Sequence, residues 1–137
     1  MNDCIFCKII AGEIPSVKVY EDADVLAFMD IAPAAHGHVL IVPKVHFPNL
    51  LEASDEAVAK TMAVAKRIAR AQMKVLGADG VNLFQTNFPA AGQTVFHLHF
   101  HVIPRFDGDG LFANWTPKPY PSPAEASRIA ESIRSAL

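Results

Sequence analysis

The stretch His97-Leu98-His99-Phe100-His101-Val102-Ile103 alternates three imidazoles with bulky apolar side chains and runs into Pro104. Period-two alternation rich in aromatic and β-branched residues specifies a half-buried strand. Successive strand side chains point to opposite faces. His97, His99 and His101 therefore share one face, and Phe96, Leu98, Phe100 and Val102 share the other. The apolar face packs on a core, and the imidazole face looks into a cleft or binds something. At about 3.3 Å per residue, His97 and His101 stand roughly 13 Å apart along the strand. One metal ion with ligand bonds of about 2 Å cannot easily hold both outer rings. The three histidines, half of the chain's six, thus divide their roles.

Outward from this strand, the chain splits into short β-runs and two helical runs. Val17 to Tyr20 and Val25 to Met29 read as a hairpin around Glu21-Asp22-Ala23-Asp24. Asp30 to Gly37 is a loop. His38 to Val42 is apolar almost throughout, a central strand that Pro43 ends. Ser54 is an N-cap, with Asp55 and Glu56 in the first turn, where the helix dipole favours anions. Val58, Met62, Ala65, Ala69 and Met73 recur at helical spacing, and Gly77 stops the helix. Val81 to Thr86 is a fourth strand. Residues 106–121 are broken by glycine and proline and carry Trp115, which needs an apolar seat. Ser122-Pro123-Ala124-Glu125 is a capping box opening a last helix, with Ile129, Ala130 and Ile133 on one face. Strands segregated from helices indicate an α+β fold with a largely antiparallel sheet. We expect one domain over 1–137, with its core in 3–105 and an irregular segment and helix in 106–137.

The chain has 137 residues, 51% of them apolar, enough for one core without disulfides. A formal charge of −2 with scattered basic residues argues against nucleic acid or anionic lipid as partners. No apolar run of about 18 residues is present, so no membrane span is expected. The start, Met1-Asn2-Asp3-Cys4, shows no secretory signal, so a cytoplasmic location is expected. Cys4 and Cys7 are too close in sequence for a structural disulfide, and such a pair points to metal binding or redox work.

Several motifs in the same order resemble the histidine-triad (HIT) family of nucleotide hydrolases and transferases, most closely its small Hint-like bacterial branch. They are Cys4-Ile5-Phe6-Cys7-Lys8-Ile9-Ile10, Phe28-Met29-Asp30-Ile31-Ala32-Pro33, Gly37-His38-Val39-Leu40-Ile41-Val42-Pro43-Lys44, Ala91-Gly92-Gln93-Thr94-Val95 and the triad itself. The resemblance implies a five-stranded sheet with one long helix packed on it, and a homodimer. It implies phosphoramidase or nucleotide hydrolase activity on a purine ribonucleotide through a nucleotidyl-histidine, with His99 as nucleophile. His101 would contact phosphate oxygens, Gln93 and Thr94 would bond phosphate or the leaving group, and His38 would position the others. Asp30 would hold the ribose hydroxyls, and Phe6, Ile9, Phe28 and Ile31 would enclose the base. No catalytic metal is expected.

Cys4 and Cys7 supply two soft ligands, and His46 and His97 are candidates to complete a closed tetrahedral site of the structural kind. The resemblance supports zinc at these four positions; the alternative is two reduced cysteines without metal. Two rival functions remain. One is a dinucleoside polyphosphate hydrolase with the same nucleophile. The other is a zinc-stabilised module that binds nucleotides or a partner, its catalysis incidental. The loop before Gly92 departs from the family. Thr86 and Phe88 stand where relatives usually carry Asn or Gln and then Gly, which leaves a substrate contact by Thr86 or Asn87 open. Phe88 also adopts positive φ less readily than glycine.

Overall fold

β-Branched and aromatic residues at alternating positions fold into one antiparallel sheet with a helix on each face. The structure is a computed structural model and describes residues 3–111 and 116–137; Trp115 lies outside them. In chain order the elements are α1 (Ile5–Ile10), β1 (Lys18–Glu21), β2 (Val25–Met29), β3 (Val39–Pro43), α2 (Asp55–Val75), β4 (Gly80–Phe84), a 3-10 turn at Pro89–Ala91, β5 (Phe100–Arg105) and α3 (Pro123–Arg134). The five strands lie in the order β1-β2-β3-β5-β4, and every pairing is antiparallel. No helix among the described residues is long and apolar enough to cross a membrane.

Strand parity sorts the core into two layers. Val25, Ala27, Val39, Ile41 and Val102 meet Val64, Ala65 and Ile68 of α2. Leu26, Phe28, Leu40 and Val42, on the opposite face, meet Phe6 and Ile9 of α1. The Ser54 side chain accepts from Ala57 N–H and so caps α2 as expected. The buried stripe of α2 is shifted from the one hydropathy predicts. It runs Thr61, Val64, Ala65, Ile68 and Gln72, while Met62 and Met73 are exposed. Thr61 and Gln72 tolerate burial because both donate hydrogen bonds: Thr61 to Ala57 O, and Gln72 to two carbonyls outside the helix. Capped by Ser122, α3 forms over the predicted stretch, but none of its residues is buried.

The histidine stretch departs from the predicted strand at both ends. The pair Ile41↔Phe100 is the last rung between β3 and β5 on that side. Continuing the register would set Pro43 opposite Leu98, and proline has no N–H for the ladder. Leu98 N–H instead donates to Phe47 O at 2.7 Å. His97 to His99 therefore lie ahead of β5, and the chain bends over Val95 to His97 before it enters the strand. At the other end Pro104 does not stop the strand, which continues to Arg105. The pairing of β3 with β5 ends at Val102, so Pro104 pairs only with Val81 of β4, where it is tolerated as an edge residue is. His38 likewise sits just before β3 rather than in it.

Candidate functional site

Two clusters of chemistry-bearing side chains meet the α1 face of the sheet, one on each side of Phe6. At one end lie Cys4, Cys7, His46 and His97. Cys4 is the N-cap of α1, its sulfur accepting from Cys7 N–H, so the helix start itself presents both thiols. His97 Nδ1 lies 3.4 Å from Cys4 Sγ, 3.6 Å from Cys7 Sγ and 3.2 Å from His46 Nδ1; His46 Nδ1 lies 3.4 Å from Cys7 Sγ. A zinc ion with bonds of about 2.3 Å to sulfur and about 2.0 Å to nitrogen has tetrahedral edges of about 3.3 Å (N to N) and about 3.5 Å (N to S). The four donor atoms, all within 4.8 Å of one another, fit that figure. The fully buried His97 ring donates Nε2–H to Pro43 O at 2.8 Å, which leaves the Nδ1 lone pair facing the thiols. Such an outer bond is how proteins orient a ligating imidazole. Burial, then Cys4's hydrogen bond and charge, push the Cys7 thiol up to about 11, and burial pushes His97 down to about 4. Metal-free, Cys7 is therefore a neutral thiol and His97 a neutral imidazole near pH 7.

At the other end a cleft of about 390 Å³ opens against His99 and His101. Its walls include Phe6, Ile9, Phe28, Leu40 and Val95, with Asp30, Ile31 and Thr94 at the polar side. Phe6 packs edge-on against Phe28 at 5.5 Å and against His99 at 5.1 Å, and it also meets His97 at 5.9 Å. One side chain of α1 thus adjoins both clusters. Ile31 is 96% exposed and forms a rim rather than a floor. Of the predicted base contacts, Phe6, Ile9, Phe28 and Ile31 all line the cleft. Leu40, Ile14 and Val95 were missed. The parity of β3 with β2 placed Leu40 on this face, while Ile14 lies in an irregular segment with no periodic signal.

The hydrogen bonds assign a tautomer to each ring. His99 Nδ1 lies 2.7 Å from His97 O, and a carbonyl only accepts, so Nδ1 carries the proton and Nε2 the lone pair. Ala34 N–H donates to His38 Nδ1 at 3.0 Å, which puts the His38 proton on Nε2. Nε2–H of His38 donates to His101 Nδ1 at 2.9 Å, leaving His101 with its proton on Nε2. Burial lowers the pKa of His99 and of His38, in the latter against the opposing charge of Asp30. Burial and the neighbouring His99 and His38 bring His101 down to about 4. All three rings are neutral near pH 7. The Asp30 carboxylate accepts from Ala32 N–H through Oδ1 and has Oδ2 3.4 Å from His38 Nε2.

Three predicted contacts are not brought to the cleft. The Gln93 amide is buried and committed to the loop, accepting from Phe88 N–H and donating to Pro48 O and Val95 O. Asn87 accepts from Leu50 N–H and exchanges bonds with Gln85. Thr86 is not among the lining residues either. Phe88 takes positive φ, 71°, the one such non-glycine among the described residues. It opens the turn that Gly92 closes at φ 95°. A bulky residue in that region carries strain on the order of 1–3 kcal/mol. The Gln93 bond to Phe88 N–H holds the turn in place.

The HIT domain family model matches residues 11–108. The chain belongs to the HIT family. Among its HIT relatives, the protein hit of Bacillus subtilis is 45% identical, over 99% of this chain and 95% of its own length. The adenosine 5'-monophosphoramidase hnt1 of Schizosaccharomyces pombe is 42% identical, over 98% of both chains. A zinc-bound histidine triad family protein from Mycobacterium smegmatis superposes with a TM-score of 0.79 at 39% identity, covering 99% of each chain. The matched HIT span contains Asp30, His99 and His101 of the cleft and also His46 and His97, and it begins after α1, which carries the cysteine pair and the Phe6 and Ile9 walls.

Proposed function

We propose that the chain is a purine-nucleotide phosphoramidase that works through a covalent nucleotidyl-His99. The observation that carries this is the His99 tautomer: a buried, neutral imidazole whose Nδ1–H is tied to a carbonyl, with the Nε2 lone pair left for attack. Nε2 attacks the α-phosphorus and the bond to the leaving amine breaks. The amine departs with a proton from solvent. The His99 ring, now carrying positive charge, keeps its Nδ1–H on His97 O. Water then attacks phosphorus, the bond to Nε2 breaks, and the nucleoside monophosphate leaves as water's proton returns to solvent. His101 Nε2–H and the Thr94 hydroxyl donate to phosphate oxygens. The carboxylate of Asp30 accepts from the ribose hydroxyls, and Phe6, Phe28 and Leu40 flank the base. The amide of Gln93 acts from within the loop, as a brace.

Charge supports a small neutral leaving group over a polyphosphate. Among the described residues, Asp30 is the only formally charged side chain lining the cleft, and no Lys or Arg among them is placed to neutralise a second phosphoryl group. We expect kcat/KM on adenosine phosphoramidate to exceed that on diadenosine polyphosphates by at least about 100-fold, the usual scale for a missing phosphate donor. Equal rates on the two would point to the polyphosphate hydrolase. Nucleotide binding without turnover of either would point to the binding module.

Zinc, held by Cys4, Cys7, His46 and His97, supplies a closed structural anchor with no position for substrate. The relative named as zinc-bound and the donor geometry support it. A homodimer is the assembly that the outer edge of β4 supports. No strand covers that edge among the described residues, and Leu83, Phe84, Phe88 and Phe96 are each about half exposed. Sedimentation should give the mass of two chains, and a monomer at micromolar concentration would remove the dimer from the account.

A further inference from the structure

Gln72 is a buried polar residue on α2 with no part in the chemistry above. Its side chain is 4% exposed in a stripe of apolar neighbours. Nε2 donates to Gly37 O and to Val102 O, both at 2.9 Å, while Oε1 has no partner. The two acceptors lie next to histidines: Gly37 directly precedes His38, and Val102 directly follows His101. The ladder between β3 and β5 stops at Val39↔Val102. Where it stops, one amide of α2 gives a donor to each strand. Gly37 fits there because it is flush with the helix: a Cβ on it would stand 2.5 Å from Leu76 Cδ1.

We infer that Gln72 is a positioning residue: its amide ties together the backbones that present His38 and His101 and holds those two imidazoles in register. Their 2.9 Å hydrogen bond leaves His101 with its proton on the nitrogen away from His38. Slippage of either backbone breaks that bond and lets the His101 tautomers mix. An apolar residue at 72 fills the same space but takes the side-chain donor away from both carbonyls. The inference rests on the phosphoryl-transfer reading of the cleft for its kinetic consequence, though not for its structural one.

The test is Gln72→Met, similar in length and without a donor, in the full zinc-loaded protein. Turnover of adenosine phosphoramidate is measured well below the variant's unfolding temperature, together with ¹⁵N spectra of the histidine rings. We expect kcat to fall about 10- to 100-fold, the scale of a small misplacement of a catalytic group. KM should stay within about threefold, because Gln72 bonds to none of the residues around base and ribose. The His101 ring nitrogens should change from one tautomer to a mixture. A folded variant with kcat within about twofold of the parent and unchanged ring spectra overturns the inference. If the parent itself has no phosphoramidase activity, the functional reading fails, and the ring spectra still judge Gln72. If Gln72→Met does not fold, hydrogen exchange of the Gln72 side-chain amide in the parent decides. Protection supports the clamp, and rapid exchange contradicts it.

Discussion

Replacing His99 with alanine should lower turnover of adenosine phosphoramidate by at least about 10⁴-fold, the scale of losing a nucleophile, while AMP still binds. The two effects separate because different residues carry them. His99 Nε2 is the one triad nitrogen that has a lone pair at the cleft, since His97 Nδ1 faces the thiols and His101 Nε2 is protonated. The base and ribose contacts proposed above are Phe6, Phe28, Leu40 and Asp30; of these, Phe6 packs on the His99 ring but is also held by Phe28 and His97. Neither His101 nor His38 can substitute, because their free nitrogens are engaged with each other and with Ala34 N–H. Calorimetric titration with AMP and a coupled assay check the pair of expectations. A His99→Ala protein that turns over at more than a hundredth of the parent rate would remove the covalent mechanism.

Loss of the metal should be the largest effect on stability. In the zinc-bound form proposed above, the four ligands would join α1, the segment after β3 and the segment before β5. A ligand present at a few hundred times its Kd stabilises by about 3 kcal/mol, and for a chain of this size that moves Tm by roughly 10 °C. We expect a chelator, or Cys7→Ser, to lower Tm by at least about that amount. It should also weaken AMP binding, because α1 carries Phe6 and Ile9 into the cleft wall. The pH dependence follows from the thiol. Zinc takes the thiolate, and burial raises the free Cys7 thiol to about 11, so binding must release a proton. Affinity for zinc therefore rises with pH up to that value, which competition against a metal-sensitive dye can read. A chelated protein with unchanged Tm would mean that the cysteines are simply packed and reduced.

Much of this was legible in the chain because the relevant signals are local. The Ser54 cap located the start of α2, and the spacing of Cys4 and Cys7 pointed to metal binding or redox work. His46 and His97, candidates in the sequence, lie with the two thiols in one cluster. Signals that depend on tertiary hydrogen bonds were not legible. Gln72 and Thr61 look like surface residues by hydropathy and are buried because each finds an acceptor. Gln93 looks like a phosphate donor, yet every polar atom of its amide is spent on the loop that Phe88 distorts. Pro43 and Pro104 read as strand ends, and only the register shows that one ends a ladder while the other lies beyond a partner strand.

The most direct measurement is mass spectrometry of protein quenched during turnover of adenosine phosphoramidate, with peptides mapped to the adenylylated residue. The account predicts one adenylyl group on His99, present during steady-state turnover and gone when substrate is exhausted. Turnover with no adduct under acid-free quench, or an adduct on His101 or His38 instead, would contradict it.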